Sequence, residues 1–82
     1  MNTYDTAILA AIVTTLAEMP EDYVGREGLL YAPFMDRDLG TFQATIATAE
    51  SAGLIQRKPN HGIVITDRGR EVAAKIEARL GR

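Results

Sequence analysis

His61 is the chain's one histidine, and there is no cysteine. It stands in Lys58-Pro59-Asn60-His61-Gly62, a run dense in turn formers, with no carboxylate near it in sequence. General acid–base catalysis needs a titrating group within hydrogen-bond reach of a partner. A lone turn histidine reads instead as a solvated polar side chain. No acid pair, glycine-rich phosphate loop or metal-ligand spacing occurs. Gly25-Arg26-Glu27-Gly28 is too short and too charged to cradle a phosphate. Without cysteine there is neither a disulfide nor a thiolate metal site. The chain therefore reads as a non-enzyme that holds no metal and no cofactor.

What remains is charge. The formal net charge is −2, a mild argument against nonspecific nucleic-acid binding. Its distribution says more than its sum. Residues 1–54 carry two cations, Arg26 and Arg37, against eight carboxylates. Residues 55–82 carry seven cations, among them Arg57, Lys58, Arg68 and Arg70, against three carboxylates. Such asymmetry can set one end of a protein on an anion despite a negative total.

The elements that must position these residues follow from hydrophobic spacing. The length of 82 residues predicts one domain. Association with a second copy would be an easy source of stability for so small a chain. Thr3 is the expected N-cap of a first helix over about Tyr4 to Glu18, with Asp5 in its first turn. Ile8, Ile12 and Leu16 lie on one line with Leu9 and Val13 beside it, so this helix should be covered on two sides. Pro20 ends it. Its longest apolar run, Ala7 to Val13, is far short of the roughly 20 residues of a membrane span. It also has no basic segment before it, so the expected location is cytoplasmic. Glu21 to Gly25 reads as a polar loop. Arg26 to about Met35 reads as a short amphipathic helix with Leu29, Leu30, Phe34 and Met35 inward, stopped or bent near Pro33.

Asp38 caps the next helix, over about Leu39 to Ala52, and Gly53 ends it in the left-handed conformation. Phe42, Ile46, Ala49 and Gly53 are the expected inward face. The opposite arc carries Gly40, Ala44, Ala47 and Ser51, flanked by Gln43 on one side and Thr41 and Thr48 on the other. Leu54-Ile55 opens an extended segment, and Ile63-Val64-Ile65 is a β-branched return strand. Thr66 caps a last helix to about Leu80, with Val72, Ile76 and Leu80 as its apolar line, a Glu71–Lys75 pair on its surface and Gly81 as its stop.

Helix, turn, helix, hairpin, helix resembles the winged helix-turn-helix, most closely its MarR-like and PadR-like branches. The resemblance rests on Glu50-Ser51-Ala52-Gly53-Leu54-Ile55 and on Ile65-Thr66-Asp67-Arg68-Gly69. These match that family's "(E)xxGL(I/V)" helix end and its "(L/I)TxxG" helix start. It implies a mainly α domain with a small β-hairpin: three helices, a two-stranded wing and a C-terminal helix. The helix-turn-helix would span about 26–53, the wing about 54–66 and the last helix about 67–80, in a single domain over 1–82. It further implies sequence-specific binding of double-stranded DNA by a small transcriptional regulator acting as a homodimer. The first helix, the last helix or both would form the seam. In that mode the helix over 39–52 enters the major groove, where Thr41, Gln43, Ala44 and Thr48 match positions that commonly face DNA. The wing, with Arg57, Lys58, Asn60 and His61, would lie on the backbone or in the minor groove, and Arg68 would sit on phosphate beside it. One departure stands out: the expected recognition helix carries no Arg or Lys. The alternative is a winged-helix module that docks a protein partner through the small-residue face Gly40, Ala44, Ala47 and Ser51.

Overall fold

Asp5 starts the first helix. Its carboxylate accepts from the backbone N–H groups of Ala7 (2.8 Å) and Ile8 (3.2 Å), so α1 runs Thr6–Ala17. The computed structural model describes residues 4–80, so the expected Thr3 cap and Gly81 stop lie outside the described residues. The capping role belongs to Asp5, which sequence spacing placed inside the first turn. The same carboxylate reaches Arg37 Nη1 at 3.2 Å. The Asp5 N–H donates to the fully buried Thr45 hydroxyl at 2.9 Å, and that hydroxyl donates to Thr41 O at 2.8 Å. The start of α1 is thereby tied to the third helix and to the turn before it.

The chain continues as β1 (Gly25–Arg26), α2 (Glu27–Tyr31), a 3-10 turn (Ala32–Phe34), α3 (Leu39–Ser51), β2 (Ile55–Lys58), β3 (Gly62–Ile65) and α4 (Asp67–Arg79). The result is mainly helical, with a three-stranded antiparallel sheet in the order β1-β3-β2. A two-stranded hairpin was the expectation, and Gly25 belonged to a loop. The third strand exists because Gly25 pairs with Ile63 and Arg26 with Gly62. The expected helix over 26–35 is only one and a half turns of α-helix before Pro33 tightens the chain into the 3-10 turn. Such a short element has no complete inner face. Leu30 and Phe34 pack against the core, while Leu29 and Met35 stand 67% and 70% exposed.

The core is formed by Ile8, Ile12, Val13 and Leu16 of α1, Phe42, Ile46 and Ala49 of α3, Leu54 and Ile55, Ile63, and Ala73 of α4. α1 lies between α3 and α4, as its wide apolar arc requires. Tyr31 stacks on Phe42 with ring centroids 4.9 Å apart at 57°, and its hydroxyl donates to Arg37 O at 3.1 Å. In α4 the buried line is Gly69 and Ala73, with Val72 and Ile76 half-buried. The expected third member, Leu80, is exposed. Likewise Gly53, expected inward, is exposed, and Thr45 takes its place in the buried face of α3. Among the described residues Arg37 pairs with Asp5 at 3.2 Å and Arg57 more loosely with Glu50 at 3.8 Å, and Glu27 Oε2 lies 3.8 Å from His61 Nδ1; Glu71 and Lys75 do not pair. No helix among the described residues is long and apolar enough to cross a membrane.

The junction of α3, hairpin and α4 is a single hydrogen-bonded knot. Asp38 caps α3 through Thr41 N–H at 3.2 Å. At the far end Gly53 sits at φ +76°, with Gly53 N–H donating to Glu50 O (3.0 Å) and Leu54 N–H to Ala49 O (2.9 Å). This is the Schellman pattern. Thr66 then closes the loop: its N–H donates to Leu54 O, its hydroxyl donates to Gly53 O, and that hydroxyl accepts from Gly69 N–H at 3.0 Å. Gly69 is a glycine because a Cβ there would stand 2.2 Å from Leu54 O and 2.7 Å from Ile65 Cγ1. Inside an unhindered helix, Gly→Ala gains up to about 1 kcal/mol. Gly69→Ala should reverse that sign and cost about 1–3 kcal/mol, as overpacking does. Urea unfolding measures it. A stabilised variant would mean that the close approach is absent.

Candidate functional site

A cleft of about 690 Å³ opens between α2, the start of α3 and the hairpin. β1 and β2 bring Arg26 and Arg57 to it. The hairpin turn brings Asn60 and His61, and α3 brings Leu39 and Gln43. Tyr31 and Phe42 form its aromatic floor. Glu27 is the one carboxylate among the lining residues, and its Oε2 lies 3.8 Å from His61 Nδ1.

The hairpin turn is unusual. Gly62 N–H donates to Pro59 O at 3.3 Å, and Asn60 and His61 both have φ +61°. Positive φ at both central residues is what the mirror-image hairpin turn requires, and Asn-Gly is its ordinary sequence. Here histidine holds the glycine position. Its carbonyl accepts from Glu27 N–H at 3.0 Å, so the turn is bound to the first residue of α2. The tip is thus held against the cleft rather than left free.

Of the residues singled out from sequence, Gln43, Arg57, Asn60 and His61 meet in the cleft. Lys58 is exposed at the end of β2. Thr41, Ala44 and Thr48 are half-buried and do not line the cleft, and Thr41 serves the Asp38 cap. The exposed edge of α3 runs instead through Leu39, Gln43, Ala47, Glu50 and Ser51. The small-residue stripe is correspondingly divided: Gly40 and Ala44 are half-buried, Ala47 and Ser51 exposed. Arg57 Nε lies 3.8 Å from Glu50 Oε1, with both side chains more than two-fifths exposed. An ion pair so long and wet contributes at most about 1 kcal/mol, so Arg57 is easily recruited by another anion. Arg68 is exposed at the start of α4; its Cδ stands 3.7 Å from where a Gly53 Cβ would be. It therefore lies by the C-terminal, negative end of the α3 dipole. Arg70 is spent structurally, donating to Ala17 O at the end of α1 at 3.2 Å.

Sequence reasoning missed Arg26, Leu29 and Leu39 as surface residues of one site. Arg26 arrives through a two-residue strand pairing that has no periodicity to detect. Leu29 and Leu39 are apolar residues of apparently amphipathic helices, and only the packing shows them 67% and 48% exposed. No cluster of three or more metal-ligating side chains occurs among the described residues. Compared with known proteins, the chain matches no family model, no curated protein and no solved structure.

The turn geometry yields a test. A non-glycine residue in this conformation stores about 1–3 kcal/mol. His61→Gly relieves it, less about 0.4–1 kcal/mol of added unfolded-chain entropy. The variant should therefore be more stable, by up to about 2.6 kcal/mol in urea unfolding, as a favoured Asn-Gly turn would be. A loss of stability would mean that the imidazole's contacts outweigh the backbone strain.

Proposed function

We propose that this chain is a winged-helix protein that binds double-stranded DNA sequence-specifically, as a small transcriptional regulator. α3 would lie in the major groove and the β2–β3 hairpin on the adjoining backbone or minor groove. The observation that carries the reading is the placement of the hairpin cations beside the exposed edge of α3. Arg57 of β2 lies 3.8 Å from Glu50 of α3 and lines the cleft with Asn60, His61 and Gln43, while Lys58 is exposed at the end of β2. Arg26 extends the basic rim. Gln43 is the exposed α3 side chain suited to an adenine edge, which a Gln amide pairs through two hydrogen bonds. Because α3 carries no cation and exposes Glu50, the hairpin and Arg26 must supply the phosphate contacts. Arg68 would anchor a neighbouring phosphate at the end of α3. Such a protein reads two half-sites as a homodimer. Exposed apolar area at Tyr4 (47%), just before α1, and at Leu80 (60%), just after α4, supports a seam at α1, at α4 or at both.

A second reading has one observation in its favour. An α3 surface without cations, carrying Glu50 and the exposed Ala47 and Ser51, suits a protein partner better than a polyanion. In that reading Ala47→Glu abolishes function, while loss of Arg57 and Lys58 is tolerated.

Fluorescence anisotropy on a labelled mixed-sequence duplex separates the two. The wild type should bind nonspecifically with a dissociation constant of about 10⁻⁴–10⁻⁶ M, weakening with salt. In the Arg57→Ala/Lys58→Ala variant the slope of log K against log[salt] should shrink by about one to two units, since each neutralised phosphate contributes about 0.9. Absence of binding at low salt, or equal slopes for both proteins, would contradict the proposal.

A further inference from the structure

The cleft contains what a phosphate surface does not use. Leu29 and Leu39 stand 67% and 48% exposed on its walls, above the tilted Tyr31–Phe42 pair. Leucine side chains give nothing to phosphate oxygens, and their exposure to water is unfavourable in the free protein. Arg26, Arg57, Gln43 and Asn60 line the same cleft, and Arg57 is held only loosely by Glu50, 3.8 Å away. The single lining carboxylate, Glu27, faces His61. An apolar floor under a basic rim complements a segment that offers large apolar side chains and carboxylates together. The volume of about 690 Å³ falls within the range of formed ligand sites.

We propose that this cleft is the docking site for an acidic amphipathic peptide segment of a partner protein. Apolar anchors of the segment, three or four residues apart, seat between Leu29 and Leu39. Its carboxylates engage Arg26 and Arg57. This is helix-in-groove recognition, with charge setting the orientation. The surface overlaps the one proposed for DNA, so such a segment would displace DNA; the docking itself does not depend on DNA binding. Charge complementarity selects the occupant. A basic segment would meet two guanidinium groups, and an uncharged one would cover Arg26 and leave Arg57 with only its long pair to Glu50.

The test selects a displayed library of random 16-residue peptides on the full chain, with the Leu29→Ser/Leu39→Ser variant as counter-target. Enriched peptides are then synthesised with a fluorophore. The expected result is a net-acidic consensus with two large apolar residues three or four apart. Binding should weaken at least tenfold to Leu29→Ser/Leu39→Ser and to Arg26→Ala/Arg57→Ala. The leucine variant changes two exposed side chains and should keep the wild-type unfolding transition, which shows that any lost peptide binding is not a loss of fold. Failure to enrich, enriched peptides without acidic residues, or equal binding to the leucine variant would overturn the inference. Peptide binding without any duplex binding would uphold it while removing the DNA reading; duplex binding without peptide binding would do the reverse.

Discussion

Thr66 is the residue on which the geometry of the site depends. Its backbone N–H, its hydroxyl proton and its hydroxyl lone pair are all committed, to Leu54 O, Gly53 O and Gly69 N–H. Those three bonds join the end of α3, both ends of the hairpin and the start of α4. Gly53 turns the chain out of α3 in a conformation that side chains resist, and Gly69 lets α4 approach the Leu54 carbonyl. The two short motifs that suggested a fold family are therefore the two halves of one lock. Neither half has its physical meaning alone: the helix end creates free carbonyls, and the next helix start satisfies them.

A second clamp sets the other side of the site. Asp5 caps α1, pairs with Arg37, and donates its N–H to the buried Thr45 of α3. Tyr31 then pins the turn between α2 and α3 through Phe42 and Arg37 O. With α3 fixed at both ends, the two-residue strand β1 carries α2 against β3, and Glu27 N–H holds the hairpin tip by the His61 carbonyl. The cleft is the space these three constraints leave. Its electrostatics follow from the chain's charge order: acidic or neutral on α3, basic on the strands. On the proposed reading, DNA is anchored mainly by the hairpin, and α3 contributes shape and hydrogen bonds.

Much of this frame was legible in the sequence because it is locally encoded. Asp38 and Gly53 act on atoms within five residues, and Thr66 caps α4 through Gly69 N–H three residues on, all through capping chemistry that depends on residue type. The Thr66 bonds to Gly53 and Leu54, 13 and 12 residues back, are long-range. What could not be read is what depends on distant atoms. Strand β1 forms because residues 62 and 63 happen to lie beside it. Thr45 is buried without penalty because Thr41 O and Asp5 N–H satisfy its hydroxyl. Arg70 looked available for an anion, yet it caps α1 from 53 residues away. The exposure of Leu29 and Met35 follows from a helix cut short at Pro33, which leaves periodicity with too few turns to define a face. The outward arc of α3 was displaced for a related reason: burial of Thr45 rotates the wet edge toward Leu39, Gln43 and Glu50.

The most direct test of the account is an amide chemical-shift titration of the nitrogen-15-labelled chain with a short DNA duplex at low and then moderate salt. The proposed DNA surface predicts perturbations concentrated at Gln43, Ala47, Arg57, Lys58, Asn60 and His61, with Arg26 joining them, and their reversal as salt rises. Perturbations centred on α1 and α4, or a spectrum unmoved at low salt, would contradict it.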